Sequence, residues 1–108
     1  MILYQAIHEK ALKAAELAAN EYLQTYGEHP FNCGFSSVVA VVKGNTKLGK
    51  SFIKQGFEKH YGGGYYLWNP SGNMTQDLSV KAAGTNAYIS VINKYMPDVK
   101  LYPNNRLD

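Results

Sequence analysis

Along residues 3 to 26 apolar positions recur at intervals of three and four. Leu3, Ile7, Ala11, Ala14, Ala18 and Tyr22 form one row, with Leu12, Ala15, Ala19, Leu23 and Tyr26 beside it. That spacing predicts an amphipathic helix, and Gly27 supplies its stop. His29-Pro30 opens a turn. Phe35 to Lys43 is so rich in β-branched and apolar residues that it reads as a strand buried on both faces, the central strand of a sheet. Asn45 or Thr46 caps a second helix, Lys47 to Gln55, which ends at Gly56. Leu48, Phe52 and Ile53 form its inner side, and Lys47, Lys50 and Lys54 share its outer side.

Further on, Phe57 to Tyr61 and Tyr65 to Trp68 flank Gly62-Gly63-Gly64, which predicts two aromatic-rich strands joined as a hairpin. Asn69-Pro70-Ser71-Gly72 ends it with strong turn chemistry. Ser79 caps a third helix in which Val80, Ala83, Ala87, Val91 and Tyr95 repeat along one side, and Pro97 forbids continuation. Val99 to Tyr102 is a short last strand. After the leading helix the order is strand, helix, strand, strand, helix, strand. That order predicts an α+β fold, a ferredoxin-like βαββαβ sandwich preceded by an N-terminal helix. Two helices cover one face of a four-stranded, mostly antiparallel sheet, and the first helix covers the other face or an edge. With no repeat or linker, residues 1 to 108 read as one domain, a leading helix at 1–27 and a core at 31–108.

Composition narrows the class. At 108 residues with 45% hydrophobic and 18% charged residues, the chain supports one core and lies far from the disordered regime. A fold needing two lobes is excluded. The longest wholly apolar stretch, Val38 to Val42, is too short to cross a bilayer, and no basic segment followed by a long apolar one opens the chain, so a soluble, unexported protein is expected. The lone Cys33 has no intramolecular disulfide partner, in keeping with a reducing cytoplasm.

Charge is unevenly spread. Residues 1 to 30 carry two lysines and four glutamates, residues 31 to 42 carry no charge, and residues 43 to 60 carry five lysines and one glutamate. The positive charge is therefore local to the second helix and its surroundings. A single arginine, Arg106, disfavours a surface that reads duplex DNA, which usually spends several on phosphates and guanines.

Three groups of residues carry candidate chemistry. Gly44-Asn45-Thr46-Lys47-Leu48-Gly49-Lys50-Ser51 satisfies the Walker A pattern between a hydrophobic strand and a helix. Lys47 and Leu48 fit a helix better than a loop wrapped around phosphates, and no later apolar strand ends in a magnesium-positioning aspartate. The weaker form of the signal is an anion site at a lysine-flanked helix start, set against a plain solvated lysine face. Cys33 with His29 and His60 raises a thiol nucleophile and its base, but a lone cysteine before an apolar strand is more often a small buried hydrophobe. Three histidines without ligand spacing disfavour a zinc site, so no catalytic set, metal or cofactor is expected. Finally, Tyr61, Tyr65, Tyr66 and Trp68 cluster around the glycine turn, where alternate side chains must face away from the core. Such surface stacks nucleobases or packs against another subunit.

The segments Gly44-Asn45-Thr46-Lys47-Leu48-Gly49, Leu67-Trp68-Asn69-Pro70-Ser71-Gly72 followed by Gln76, Lys81-Ala82-Ala83-Gly84 with Ala87-Tyr88, and the ending Arg106-Leu107-Asp108 resemble a family. It consists of small accessory proteins encoded by tailed bacteriophages, with a Cys-Gly-Phe stretch, a GNTKLG box, an LWNPSG box and a terminal RLD. The resemblance spans about residues 31 to 108. Cys33-Gly34-Phe35 fits, whereas Ser36-Ser37 stands where the pattern has Ala-Trp. The position of Lys50 is commonly arginine in the pattern, which keeps the charge but breaks the Walker signature. The resemblance implies a phage accessory protein acting in the cytoplasm of an infected bacterium, and implies no activity by itself.

The boxes share polar groups the fold does not need. Asn45, Thr46, Lys47, Lys50, Trp68, Asn69, Gln76, Arg106 and Asp108 together offer cations for phosphate, amides and a carboxylate for base edges, and a ring for stacking. The leading expectation is thus a non-enzymatic protein that binds a phosphorylated or nucleotide-derived small ligand, a bacterial immune signal being the candidate, and so acts as an anti-defence sponge. Such sites often lie between subunits, so a homo-oligomer is expected. The alternative is a protein-binding inhibitor of a host defence complex such as CRISPR or a nuclease. The third is a single-stranded nucleic-acid-binding module.

Overall fold

The computed structural model describes residues 4–29 and 31–107. Leu3, Pro30 and Asp108, which enter the expectations above, lie outside the described residues. The elements are α1 (Tyr4–Tyr26), β1 (Gly34–Ala40), α2 (Lys47–Lys54), β2 (Glu58–Lys59), β3 (Tyr65–Trp68), α3 (Leu78–Tyr95) and β4 (Leu101–Leu107). They form an α+β fold around a four-stranded antiparallel sheet in the order β2-β3-β1-β4.

β1 is central and buried, as its composition requires, but its two faces are covered by different means. Val38 and Ala40 turn toward the helices and join Tyr65, Leu67, Leu101 and the fully buried Phe52, Tyr88 and Ile92 in one core. Val39 points the other way and is also fully buried. Its direct cross-strand neighbours are Tyr66 on β3 and Tyr102 on β4, and such opposed pairs sit close enough for the two rings to close over it.

Several boundaries differ from the sequence pattern: β1 runs from Gly34 and stops at Ala40 instead of reaching Lys43, and β2 is only Glu58–Lys59 where Phe57 to Tyr61 was expected. The cap of α3 is Asp77 rather than Ser79: the Asp77 carboxylate accepts the Ser79 amide at 2.9 Å and also accepts from the His29 amide and the Asn32 side chain, each at 2.8 Å. A carboxylate with several donors satisfies the helix start and anchors the loop before β1 at once. Burial alone would raise the Asp77 pKa. The His29, Asn32 and Ser79 bonds outweigh it and hold the carboxyl below its ordinary range. The last strand starts two residues later than expected and runs to Leu107, because β1 offers a whole edge from Gly34 to Ala40 and the chain fills it in continuous register despite its polar sequence.

The leading helix corrects a further expectation. α1 covers neither the far face of the sheet nor an edge; it packs along α3 on the helical side. Its contact stripe is Ala11, Ala15 and Ala19, all fully buried, and such small side chains let two helices approach closely. Gly84 on α3 makes room: a Cβ there would fall 2.6 Å from Cβ of Ser71 and 3.1 Å from the Ala15 carbonyl oxygen. At its start α1 reaches α2, where the Tyr4 ring meets Phe52 edge-on with centroids 4.3 Å apart. With all three helices on one side, the opposite sheet face carries no helix among the described residues.

Candidate functional site

Strand alternation decides what stands on that open face. β1 contributes Phe35, Ser37 and Val39; β3 contributes Tyr66 and Trp68; β4 contributes Tyr102, Asn104 and Arg106. Ser37 is the small residue in a row of large ones, with Trp68 opposite it on one side and Asn104 on the other. The hollow above it is a cavity of about 280 Å³ whose floor is Phe35, Ser37, Tyr66 and Trp68. Asn104 and Arg106 wall it from β4, and Lys59, His60 and Tyr61 wall it from the hairpin.

The rings are arranged to leave one available. Phe35 and Trp68 have centroids 5.2 Å apart, tilted by 40°, while Trp68 remains 52% exposed. His60 meets Tyr66 nearly edge-on at 5.8 Å. Its Nδ1 lies 3.2 Å from the Gly63 carbonyl and its Nε2 3.4 Å from the Asn104 amide nitrogen, a pattern met by the Nδ1–H tautomer donating to the former and accepting from the latter. The Arg106 guanidinium stands 5.5 Å from the Phe35 centroid. Among the described residues one acid shares the face, Glu58 of β2, opposite Tyr66 at the sheet's outer margin. The surface is thus aromatic at its floor, amide-lined on one side and predominantly cationic at its rim.

Of the residues singled out from the sequence, the fold brings His60, Tyr61, Tyr66, Trp68 and Arg106 to one cavity, while Tyr65 packs into the core. It does not bring Asn45, Thr46, Lys47 or Lys50 there: these lie beyond the Ala40 end of β1, whereas Arg106 stands opposite Phe35 near the other end. Thr46 is occupied as the cap of α2, its hydroxyl accepting the Gly49 amide at 3.0 Å and donating to the Lys43 carbonyl at 2.7 Å. The segment 44–51 is therefore a capped turn entering a helix, not a loop wrapped around phosphates. Lys47 and Lys50 are exposed on that helix. Asn69 serves the turn after β3: its φ is 41°, its side chain donates to the Asn73 carbonyl and accepts from Ser71. Gln76 lines a second, smaller cavity of about 150 Å³ with Cys33, Gly34, Phe35 and Lys81. Asp108 lies outside the described residues.

The thiol and imidazole candidates are dispersed among other tasks. Cys33 Sγ donates to Gln76 Oε1 at 3.5 Å, His29 Nδ1 lies 3.2 Å from Asp77 Oδ2, and His60 belongs to the cavity rim. Among the described residues no three His, Cys, Asp or Glu side chains gather as a metal site requires, and no helix is long and apolar enough to cross a membrane.

Sequence reasoning missed Phe35, Ser37, Asn104 and Lys81 as site residues. The signal was present for the first three, since the same alternation that buries Val38 turns Phe35 and Ser37 away from the core. It became useful only once β4 was known to run as far as Leu107. Compared with models of protein families, with curated proteins and with solved structures, the chain finds no match in any of the three.

Proposed function

We propose that the open sheet face binds a nucleotide-derived small ligand, its base laid against Trp68 and its anionic part toward Arg106. One observation carries this reading: a half-exposed indole in the floor of an open cavity, beside Phe35 and Tyr66 and walled by two cations and an amide. Aromatic faces stack any base, side-chain amides read base edges, and a guanidinium suits phosphate. The cavity is close in size to the smaller known ligand pockets, which begin near roughly 300 Å³.

A ferredoxin-like assignment of the core goes with this reading. What supports it is the strand order β2-β3-β1-β4, in which β1 and β2, joined through α2, are separated by one strand, and β3 and β4, joined through α3, are separated by another. On such a sheet the two central strands are a natural stacking platform. Taken with the resemblance to phage accessory proteins, the function we propose is sequestration of a host nucleotide signal in the infected bacterium's cytoplasm.

Calorimetric titration with AMP, cyclic dinucleotides and ADP-ribose is the direct test. Saturable binding of one of these, lost in Trp68→Ala, is the expected result; flat traces from folded protein for all three would overturn it. A second reading is favoured by the length of the aromatic row, which runs from Phe35 and Trp68 to Tyr66 and Tyr102. A row of that kind accommodates successive bases of a single strand. Affinity that climbs with oligonucleotide length and falls steeply with salt assigns the face to single-stranded nucleic acid instead.

A further inference from the structure

Lys81 is an anomaly of the fold. It lies in the first turns of α3, only 7% exposed, and no carboxylate among the described residues stands within ion-pair distance of it. Its one close partner is the Phe35 ring, whose centroid is 5.5 Å from the ammonium. The nearest acid along the helix, Asp77, has its oxygens engaged by His29, Asn32 and the Ser79 amide. A lysine packs its apolar stem against the fold and keeps its charged head in water, and a cation near a helix N-terminus gains nothing from the helix dipole. Among the described residues no buried side-chain nitrogen or oxygen lacks a hydrogen-bond partner, so it is the stem of Lys81 that is packed away while its ammonium opens on solvent, a cation held in one place with no protein carboxylate beside it.

The surroundings say where a counter-charge would sit. Lys81 lines the smaller cavity with Cys33, Gly34 and Gln76, and the wall common to that cavity and the larger one is Phe35. Arg106, which lines the larger cavity, is also 5.5 Å from the Phe35 centroid. Two cations therefore share one ring, at the corner of the sheet next to the stacking floor. Neither is used by the hydrogen-bond network that holds the fold. Gln76 adds an exposed amide at the mouth of the smaller cavity.

We infer that Lys81 and Arg106 form the anion site of this protein, taking the phosphoryl group of a ligand whose base lies on Trp68. The inference deepens the sheet-face reading and rests on it for the base-bearing part alone; the anion site is tested apart from the base. A single phosphoryl group at the edge of Phe35 pairs with the Lys81 ammonium through one oxygen and meets the Arg106 fork with a second. The basic face of α2 plays no part in it.

The test uses inorganic pyrophosphate, adenosine and AMP at constant ionic strength, with amide chemical shifts and calorimetry as readouts, on the full chain and on Lys81→Met, Lys81→Arg, Arg106→Gln and Trp68→Ala. Pyrophosphate is expected to shift amides at 33–35, 76–81 and 104–107 saturably in the wild type, to fail to do so in Lys81→Met, and to do so again in Lys81→Arg. AMP is expected to bind roughly tenfold tighter than adenosine, a preference that Lys81→Met abolishes. Arg106 is exposed, so Arg106→Gln keeps the fold and must weaken pyrophosphate binding even if Lys81→Met proves unstable. Pyrophosphate shifts confined to the 47–54 helix, or an AMP preference unchanged in Lys81→Met, overturn the anion site while leaving base stacking intact. Pyrophosphate shifts at 76–81 in a protein that binds neither adenosine nor AMP support the anion site and overturn the stacking reading.

Discussion

Gly49 packs its α-carbon directly against the Lys43 carbonyl oxygen, so close that any Cβ would collide with it. Gly44 is likewise pressed against the Tyr65 hydroxyl. The two glycines of the Walker-like match are thereby explained by packing at the start of α2, where the chain doubles back on itself before the helix, and not by a ligand. Gly49→Ala should therefore cost about 1–3 kcal/mol, the usual range for forcing an atom into a filled site. Lys50→Ala and Ser51→Ala, on the exposed side of the same helix, should leave both stability and AMP affinity almost unchanged. Chemical denaturation and calorimetry measure the two effects. Loss of AMP binding in Lys50→Ala would return the site to the α2 segment.

Ser37 is the residue that keeps the cavity hollow. Ser37→Trp puts an indole between Trp68 and Asn104, where the solvent-facing side of the sheet has space for it, so the fold should tolerate the change to within about 1 kcal/mol. Ligand binding on the sheet face should be abolished, because the new ring occupies the floor. A crystal structure or binding curve in which Ser37→Trp still takes the ligand would separate the cavity from function.

Which parts of this could be foreseen depends on what each signal measures. Period and capping chemistry report local backbone, and so α1 and α2 were legible almost to the residue, while the hairpin and the central strand were legible as elements but not in their lengths. Pro103 to Leu107 was not, since Pro103, Asn104, Asn105 and Arg106 carry no apolar alternation. They form a strand because the edge of β1 needs hydrogen-bond partners, a tertiary demand that local sequence does not express. The side on which α1 docks was hidden for a similar reason. An alanine stripe specifies close approach to something, and only Gly84, which clears space for the Ala15 carbonyl, identifies α3 as that surface. For the site, Trp68 and Arg106 were legible as chemistry without a fold role. Lys81 was not, because a lysine in a helical pattern reads as solvated until its burial is seen.

Asp77, rather than Ser79, should dominate the stability of α3. Asp77→Ala removes acceptors from the Ser79 amide, the His29 amide and the Asn32 side chain together, leaving the helix-start amide of Ser79 and the loop before β1 without their common anchor. Its cost should be about 2–4 kcal/mol by the usual price of a lost cap plus the lost loop bonds. Ser79→Ala loses one bond, from Asn32, and should cost about 1 kcal/mol. Urea denaturation ranks the two; equal costs would refute Asp77 as the organising cap.

The polar cluster in the helical core makes stability depend on pH in a definite direction. His8 Nδ1 lies 2.6 Å from the Tyr88 hydroxyl, which lies 2.6 Å from the Tyr4 hydroxyl, and all three residues are buried between α1 and α3. Burial lowers the His8 pKa, only partly opposed by the neighbouring Glu9 charge. Burial also pushes both phenols well above their ordinary range, so they stay neutral at any pH the protein meets. The folded state thus holds His8 uncharged, while the unfolded chain protonates it near about pH 6.5. Below that value the unfolded state binds more protons than the folded one, and stability falls as pH falls, by at most about 1.4 kcal/mol per pH unit, until the folded-state pKa is reached. Above it the contribution is complete and flat. Asp77 adds a separate loss only in the lower carboxylate range. Urea unfolding from about pH 8 to about pH 5 should show this slope in the wild type and a flatter one in His8→Gln, whose side chain cannot take up a proton in that window. Identical slopes in the two proteins would remove His8 as the titrating group.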